Sequence, residues 1–137
     1  MGKKKSSNYT VNINAPSKAK NIEYSPKPSY EKTVGVNLKY YRSKFECFSE
    51  WQKKELNQFS KWIKKISGRT EAEITSTTKT CHAHKGPDFH QYLPREISPD
   101  ITTYNMDVGR KLRIHGFFSK GDFYIVLLDR EHRALDR

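Results

Sequence analysis

From Thr33 to Tyr41 the chain alternates, with Val34, Val36, Leu38 and Tyr40 on one side and Gly35, Asn37 and Lys39 on the other. That two-residue period is the pattern of a half-buried strand. The period then lengthens: Phe45, Phe48, Trp51, Leu56, Phe59, Trp62, Ile63 and Ile66 recur at helical spacing, while Lys53, Lys54, Glu55, Lys61, Lys64 and Lys65 fill the remaining arc. An amphipathic helix from about Ser49 to Ser67 is predicted. Ser49 with Gln52 three residues on has capping-box spacing, and Gly68 supplies a stop. Ser43 with Glu46 offers a second start at the same spacing.

Residues 69–100 carry weaker patterns. A helical turn near Glu71 to Ile74 leads into TSTTKTCHAHKG, whose threonines favour extended chain, and Gly86-Pro87-Asp88 predicts a turn. Pro94 and Pro99 predict a loop. The last third is clearer: Ile101 to Asp107, Lys111 to Phe118 and Phe123 to Asp129 read as three strands, turning at Gly109 and at Ser119-Lys120-Gly121-Asp122. FYIVLLD is continuously apolar and is expected to be the central strand, covered on both faces. These elements predict an α+β fold: a four- to five-stranded, mainly antiparallel sheet packed on one long amphipathic helix. With 137 residues the chain fits one domain, expected over residues 33–137.

Before it, residues 1–32 combine Lys, Ser, Asn and Pro with few apolar side chains. They are expected to form a disordered basic arm, because they bury too little to offset the entropy of ordering. Residues 1–42 hold nine Lys or Arg against two Glu, more than half of the net charge of +11. Such an excess raises the local concentration of polyanions, and nucleic acid, RNA above all, is the partner class it favours. An anionic membrane surface or an acidic protein would also answer to the charge. The opening MGKKKS fits the loose N-myristoylation pattern. No stretch approaches a membrane span, no signal-peptide run is visible, and Cys47 and Cys81 suit a reducing compartment. A cytoplasmic protein without a membrane partner is expected.

Two places carry candidate chemistry. On KLRIHGFF, Leu112, Ile114 and Phe118 face one way and Arg113 and His115 the other, on a face expected to be exposed, where a phosphate could bridge guanidinium and imidazole. Arg130, Glu131, His132 and Arg133 follow the last strand directly, and neighbouring strand ends could gather them with Arg113 and His115. The bland alternative is the charged exit of a buried strand. In CHAHKGPDFH, His82 and His84 stand two apart on extended chain and point to one side, suiting either proton handling at a phosphate or metal ligation with Cys81 and His90. A zinc site would want a second ligand pair, which is missing, so no metal and no cofactor are expected; a solvated loop is the other alternative.

RNA cleavage needs little apparatus. The 2′-hydroxyl attacks the adjacent phosphorus once a base takes its proton, an acid protonates the leaving oxygen, and cations balance the phosphoryl charge. Histidine and arginine suit those roles. P-loop, dinucleotide-binding, GxSxG and two-metal carboxylate patterns are absent from the sequence.

The order of strand, amphipathic helix, polar connection and C-terminal antiparallel strands with a basic, His-containing end resembles the RelE/ParE superfamily of small toxins, many of them ribosome-dependent mRNA endonucleases. RIHGFF, a short turn and FYIVLLDREH, with the upstream KKISGRTEAEI, are also similar to small phage and bacterial proteins of unassigned function; that likeness covers roughly residues 45–135. The toxin resemblance implies a sheet-borne active face, here Arg113, His115, Arg130, Glu131 and His132, and an antitoxin partner, expected to be acidic. Those toxins usually carry two N-terminal helices, whereas this chain predicts one. The expectation is a metal-independent endoribonuclease of toxin type, acting on RNA or the ribosome. His132 or His115 would serve as acid, His82, His84 or Glu131 as base, and Arg113 and Arg130 would clamp the phosphate. Lys53, Lys54, Lys61, Lys64, Lys65 and Lys111 would hold RNA. The rival is a nucleic-acid or ribosome-binding accessory protein without catalysis.

Overall fold

Alternation in the last third of the chain builds the middle of a five-stranded sheet. In the computed structural model, which describes residues 32–134, the strands are β1 (Gly35–Asn37), β2 (Cys81–Ala83), β3 (Thr103–Asp107), β4 (Arg113–Ser119) and β5 (Asp122–Asp129). Their order is β1-β5-β4-β3-β2; β1 runs parallel to β5 and every other pair is antiparallel. The arm expected over residues 1–32 lies outside the described residues except at Lys32. Lys120 and Gly121 both have positive φ, 51° and 86°, joining β4 to β5 by a two-residue turn of the twist that hairpins favour.

Two helices follow β1. The long one, α1 (Lys53–Ser67), starts four residues later than Ser49, and its N-cap is Gln52, whose N–H donates to Glu55 Oε1 at 2.7 Å. The preceding segment is instead a separate 3-10 turn, Phe48–Glu50, capped by Cys47, and Trp51 is extended between the two. A buried tether explains the break: Trp51 Nε1 donates to Glu46 Oε2 at 2.7 Å, and Glu46 is 1% exposed. The same oxygen accepts the Arg130 N–H at 3.0 Å, tying the approach to α1 to the exit of β5. The short helix α2 (Glu71–Ser76) is capped by Thr70 and Glu73 in a reciprocal box. No helix among the described residues is long and apolar enough to cross a membrane.

The two faces of the sheet are covered differently. On one, Trp51, Trp62 and Ile66 from the helical layer and Ile74 from α2 pack on Val34, Met106, Ile114, Phe118, Phe123, Ile125 and Leu128. On the other, Phe89 from a 3-10 turn (Asp88–Tyr92), with Tyr92, Leu93, Ile97 and Ile101, packs on Phe117, Val126 and Leu127. FYIVLLD is therefore buried on both sides as its composition suggests, but it is second in the sheet; the middle strand is β4. The connection over residues 84–101, rather than a second layer of helix, supplies its other cover.

A bulge separates the two halves of β5. His115 pairs with Leu127 but Gly116 pairs with Ile125, leaving Val126 as the extra residue. Its carbonyl accepts the Arg42 N–H at 2.9 Å. Phe123 and Ile125 face the helical layer, Val126 and Leu127 both face the other side, and Leu128 returns. The inserted residue inverts the alternation, and Asp129 thereby joins the face that carries His115.

Candidate active site

The polar part of the loop-covered face rests on three strands in register. Across them His82 stands opposite Asn105, Asn105 opposite His115, and Asp107 opposite Arg113. His84 continues the β2 ladder, donating its N–H to the Thr103 carbonyl at 2.8 Å. His82, His84, Arg113 and His115 thus share one face, the register joining two pairs that alternation gives separately. The face is not open at His115, however: that residue is 3% exposed because Phe89 stacks over it at 5.5 Å and over His84 at 4.5 Å.

Behind His84 runs a hydrogen-bonded chain. Thr103 Oγ1 lies 2.8 Å from His84 Nδ1, His84 Nε2 lies 3.0 Å from His115 Nδ1, and His115 Nε2 lies 3.0 Å from Asp129 Oδ2. Asp129 is wholly buried, and its carboxylate also accepts the N–H groups of Arg133 and Ala134, each at 2.8 Å. Burial alone would push this carboxyl up, but the hydrogen bonds from His115, Arg133 and Ala134, with the charge of His115, hold it below the usual carboxylate value. Asp129 is therefore ionised near neutrality and can only accept.

That fixes the polarity of the chain. His115 must carry its proton on Nε2; with both rings neutral, His84 Nε2–H then donates to His115 Nδ1, and the Thr103 hydroxyl donates to His84 Nδ1. One added proton reverses the two bonds of His84 and leaves the His115–Asp129 bond as it is: His115 Nδ1–H donates to His84 Nε2, and His84 Nδ1–H donates to Thr103. Between the two arrangements no heavy atom has to move, which suits the chain to proton transfer between a half-exposed imidazole and the neighbour of a buried carboxylate.

Beside it lies a second cluster. Arg113 Nε is 2.9 Å and His82 Nε2 is 3.7 Å from Asp107 Oδ1, a buried oxygen with an aligned hydrogen bond to neither. Arg113 Nη1 donates to the carbonyls of Gly109, Arg110 and Leu112, bracing the β3–β4 turn. Among the described residues no group of three or more His, Cys, Asp or Glu is arranged to hold a metal ion; His90 lies in the 3-10 turn. Cys47 and Cys81 are free thiols, and burial pushes Cys81 up to about 11, far from a reactive thiolate.

The DREH residues do not join this face as a group. Arg130 turns toward Glu46 and Glu50, donating to the Glu50 carbonyl at 2.6 Å. Arg130 and Glu131 line a cleft on the helical side with Lys54 and Lys111. His132 occupies the turn after β5 with φ of 59°. The strand ends fail to gather them because Glu46, buried under the exit of β5, draws Arg130 and Arg133 to itself. Lys53, Lys54, Lys61, Lys64 and Lys65 all lie on α1, and Lys111 lies in the β3–β4 turn.

Asp129, Thr103, Asp107 and Phe89 were not among the residues that sequence singled out. A carboxylate closing the apolar run FYIVLLD was the one available signal. The chain matches no family model, no curated protein and no solved structure.

Proposed function

We propose that the protein is a metal-independent endoribonuclease of toxin type, working on RNA, free or on the ribosome, in the cytoplasm, with an acidic antitoxin covering its basic surface. The observation that carries this reading is the buried chain Asp129–His115–His84 ending at a half-exposed imidazole, beside His82 and Arg113 on the same face. A base oriented by a buried carboxylate is the logic of hydrolytic triads, with a second imidazole, His115, standing here between the two.

In this reading His84 Nδ1, released from the Thr103 hydroxyl, takes the proton of the RNA 2′-hydroxyl. The freed oxygen bonds to phosphorus, the bond from phosphorus to the 5′-oxygen breaks, and protonated His82 gives its proton to that oxygen. Arg113 faces the charge on the phosphoryl oxygens. The products are a 2′,3′-cyclic phosphate and a 5′-hydroxyl end. His115 and Asp129 act through His84 as positioning residues.

The test is incubation of the purified protein with free RNA in EDTA and, separately, with ribosomes in magnesium buffer. Wild type should yield cyclic-phosphate ends, and the His82→Ala/His84→Ala variant, folded by circular dichroism, should be inert. Equal activity in both, or intact RNA in all conditions, removes the nuclease. A second reading, binding without chemistry, is favoured by the lysine-rich arc of α1. Steeply salt-dependent binding of unaltered RNA would be its sign.

A further inference from the structure

At the end of the sheet where β4 begins and β5 leaves, the helical side carries a cleft of about 460 Å³. Four cations line it: Lys54 from the first turn of α1, Arg110 and Lys111 from the β3–β4 turn, and Arg130 from the exit of β5. Two carboxylates accompany them, and both are engaged. Glu55 accepts the Gln52 N–H at 2.7 Å, and Glu131 lies 3.8 Å from Lys111 Nζ. Arg130 leans on Glu46 and Glu50, and its buried Nε has no hydrogen-bond partner. Lys54 and Arg110 make no ion pair among the described residues. The cleft therefore holds a positive excess that the fold itself does not consume.

The β3–β4 turn joins this cleft to the histidine face. Arg113 braces the turn's carbonyls from one side of the sheet, while Arg110 and Lys111 project into the cleft on the other. Both surfaces thus border the same end of the sheet. We propose that the cleft holds a backbone phosphate of the same single RNA strand whose neighbouring phosphodiester lies at His82, His84 and Arg113. This rests on the reading of that face as an RNA site. The cleft supplies grip and register, and the histidines the chemistry.

The probe is a 2′-O-methyl oligoribonucleotide, which lacks the attacking hydroxyl and stays intact, so binding is read apart from cleavage. Its affinity is measured by fluorescence anisotropy across a salt series for wild type, Lys54→Ala/Arg110→Ala and Lys44→Ala/Lys79→Ala. The two variants lose the same charge from exposed positions, but only the first pair lines the cleft. The cleft pair should lose about tenfold or more in affinity near 0.1 M salt, with a salt slope shallower by about 1.4, and the control pair less than about threefold. Equal losses in both pairs, as from a diffuse field, or no loss in either, overturn the proposal. Inorganic phosphate is titrated in parallel by NMR. Phosphate binding that needs Lys54 and Arg110, with oligonucleotide affinity indifferent to them, assigns the cleft to free phosphate and also overturns it. Binding that depends on the cleft, with unmodified RNA left uncut, upholds the cleft and removes the nuclease alone.

Discussion

The two faces of one sheet are built on opposite principles, although the same strands form both. Against α1 the sheet is dry: Phe123, Ile125, Leu128 and Ile114 meet Trp62 and Ile66, and each such burial contributes about 1.5–3 kcal/mol without directional demands. Against the 84–101 connection it encloses a carboxylate, two imidazoles and a hydroxyl, all hydrogen-bonded. Buried ionic chains of this kind seldom stabilise more than well-packed hydrocarbon would. The helical face accounts for the fold, while the loop-covered face keeps polar groups that stability does not require, which marks it as the place to seek function.

The largest effects should distinguish the faces by character rather than by size. Phe123→Ala and Asp129→Ala are each expected to cost about 3–5 kcal/mol in urea unfolding, the first by opening a cavity and the second by stranding His115 and the amides of Arg133 and Ala134. Residual RNA cleavage per folded molecule should persist in the first and vanish in the second. Cleavage surviving Asp129→Ala would erase the functional distinction between the faces.

An intermediate effect is expected at the bulge. A methyl group on Gly116 would collide with the Tyr124 carbonyl oxygen, so Gly116→Ala must push β5 away from β4. A loss of about 1–3 kcal/mol is expected, with the greatest disturbance in NMR shifts at His115 and Asp129, downstream of the displaced register. A variant as stable as wild type would show that the strands are not held so closely.

The smallest effect is a dependence on pH. Asp129 is held below its unfolded value, so its contribution is fully present above the ordinary carboxylate range, near pH 4, and is lost as pH falls through the lower folded value. Urea midpoints between about pH 6 and pH 3 should fall more steeply for wild type than for Asp129→Asn. Parallel curves would refute this assignment.

Periodicity made the helical face legible. Val34, Phe59, Trp62, Ile66, Ile114, Phe118 and Phe123 announce it by spacing, and Ser119-Lys120-Gly121-Asp122 announces the hairpin. The start of α1 was misplaced because the Trp51–Glu46 tether is a tertiary contact that overrides local capping. The histidine face was only half legible. Alternation pairs His82 with His84 and Arg113 with His115, but the strand register that joins the two pairs is a long-range contact, and the same rule, applied through FYIVLLD without the extra Val126, sends Asp129 to the wrong side. Nor does DREH reveal that Arg130 belongs to Glu46, because that partner is 84 residues away. Phe89 in its turn gives no periodic sign that it roofs the imidazoles.

The ordered hydrogen-bond chain is the claim from which the rest follows, and nitrogen-15 NMR of the imidazole rings reads it directly. At a pH where both rings are neutral, His84 and His115 should each show a protonated Nε2 and an unprotonated Nδ1, and Asp129→Asn should disturb both rings together. A protonated Nδ1 on either neutral ring, or a His84 signal indifferent to Asp129→Asn, would contradict the account.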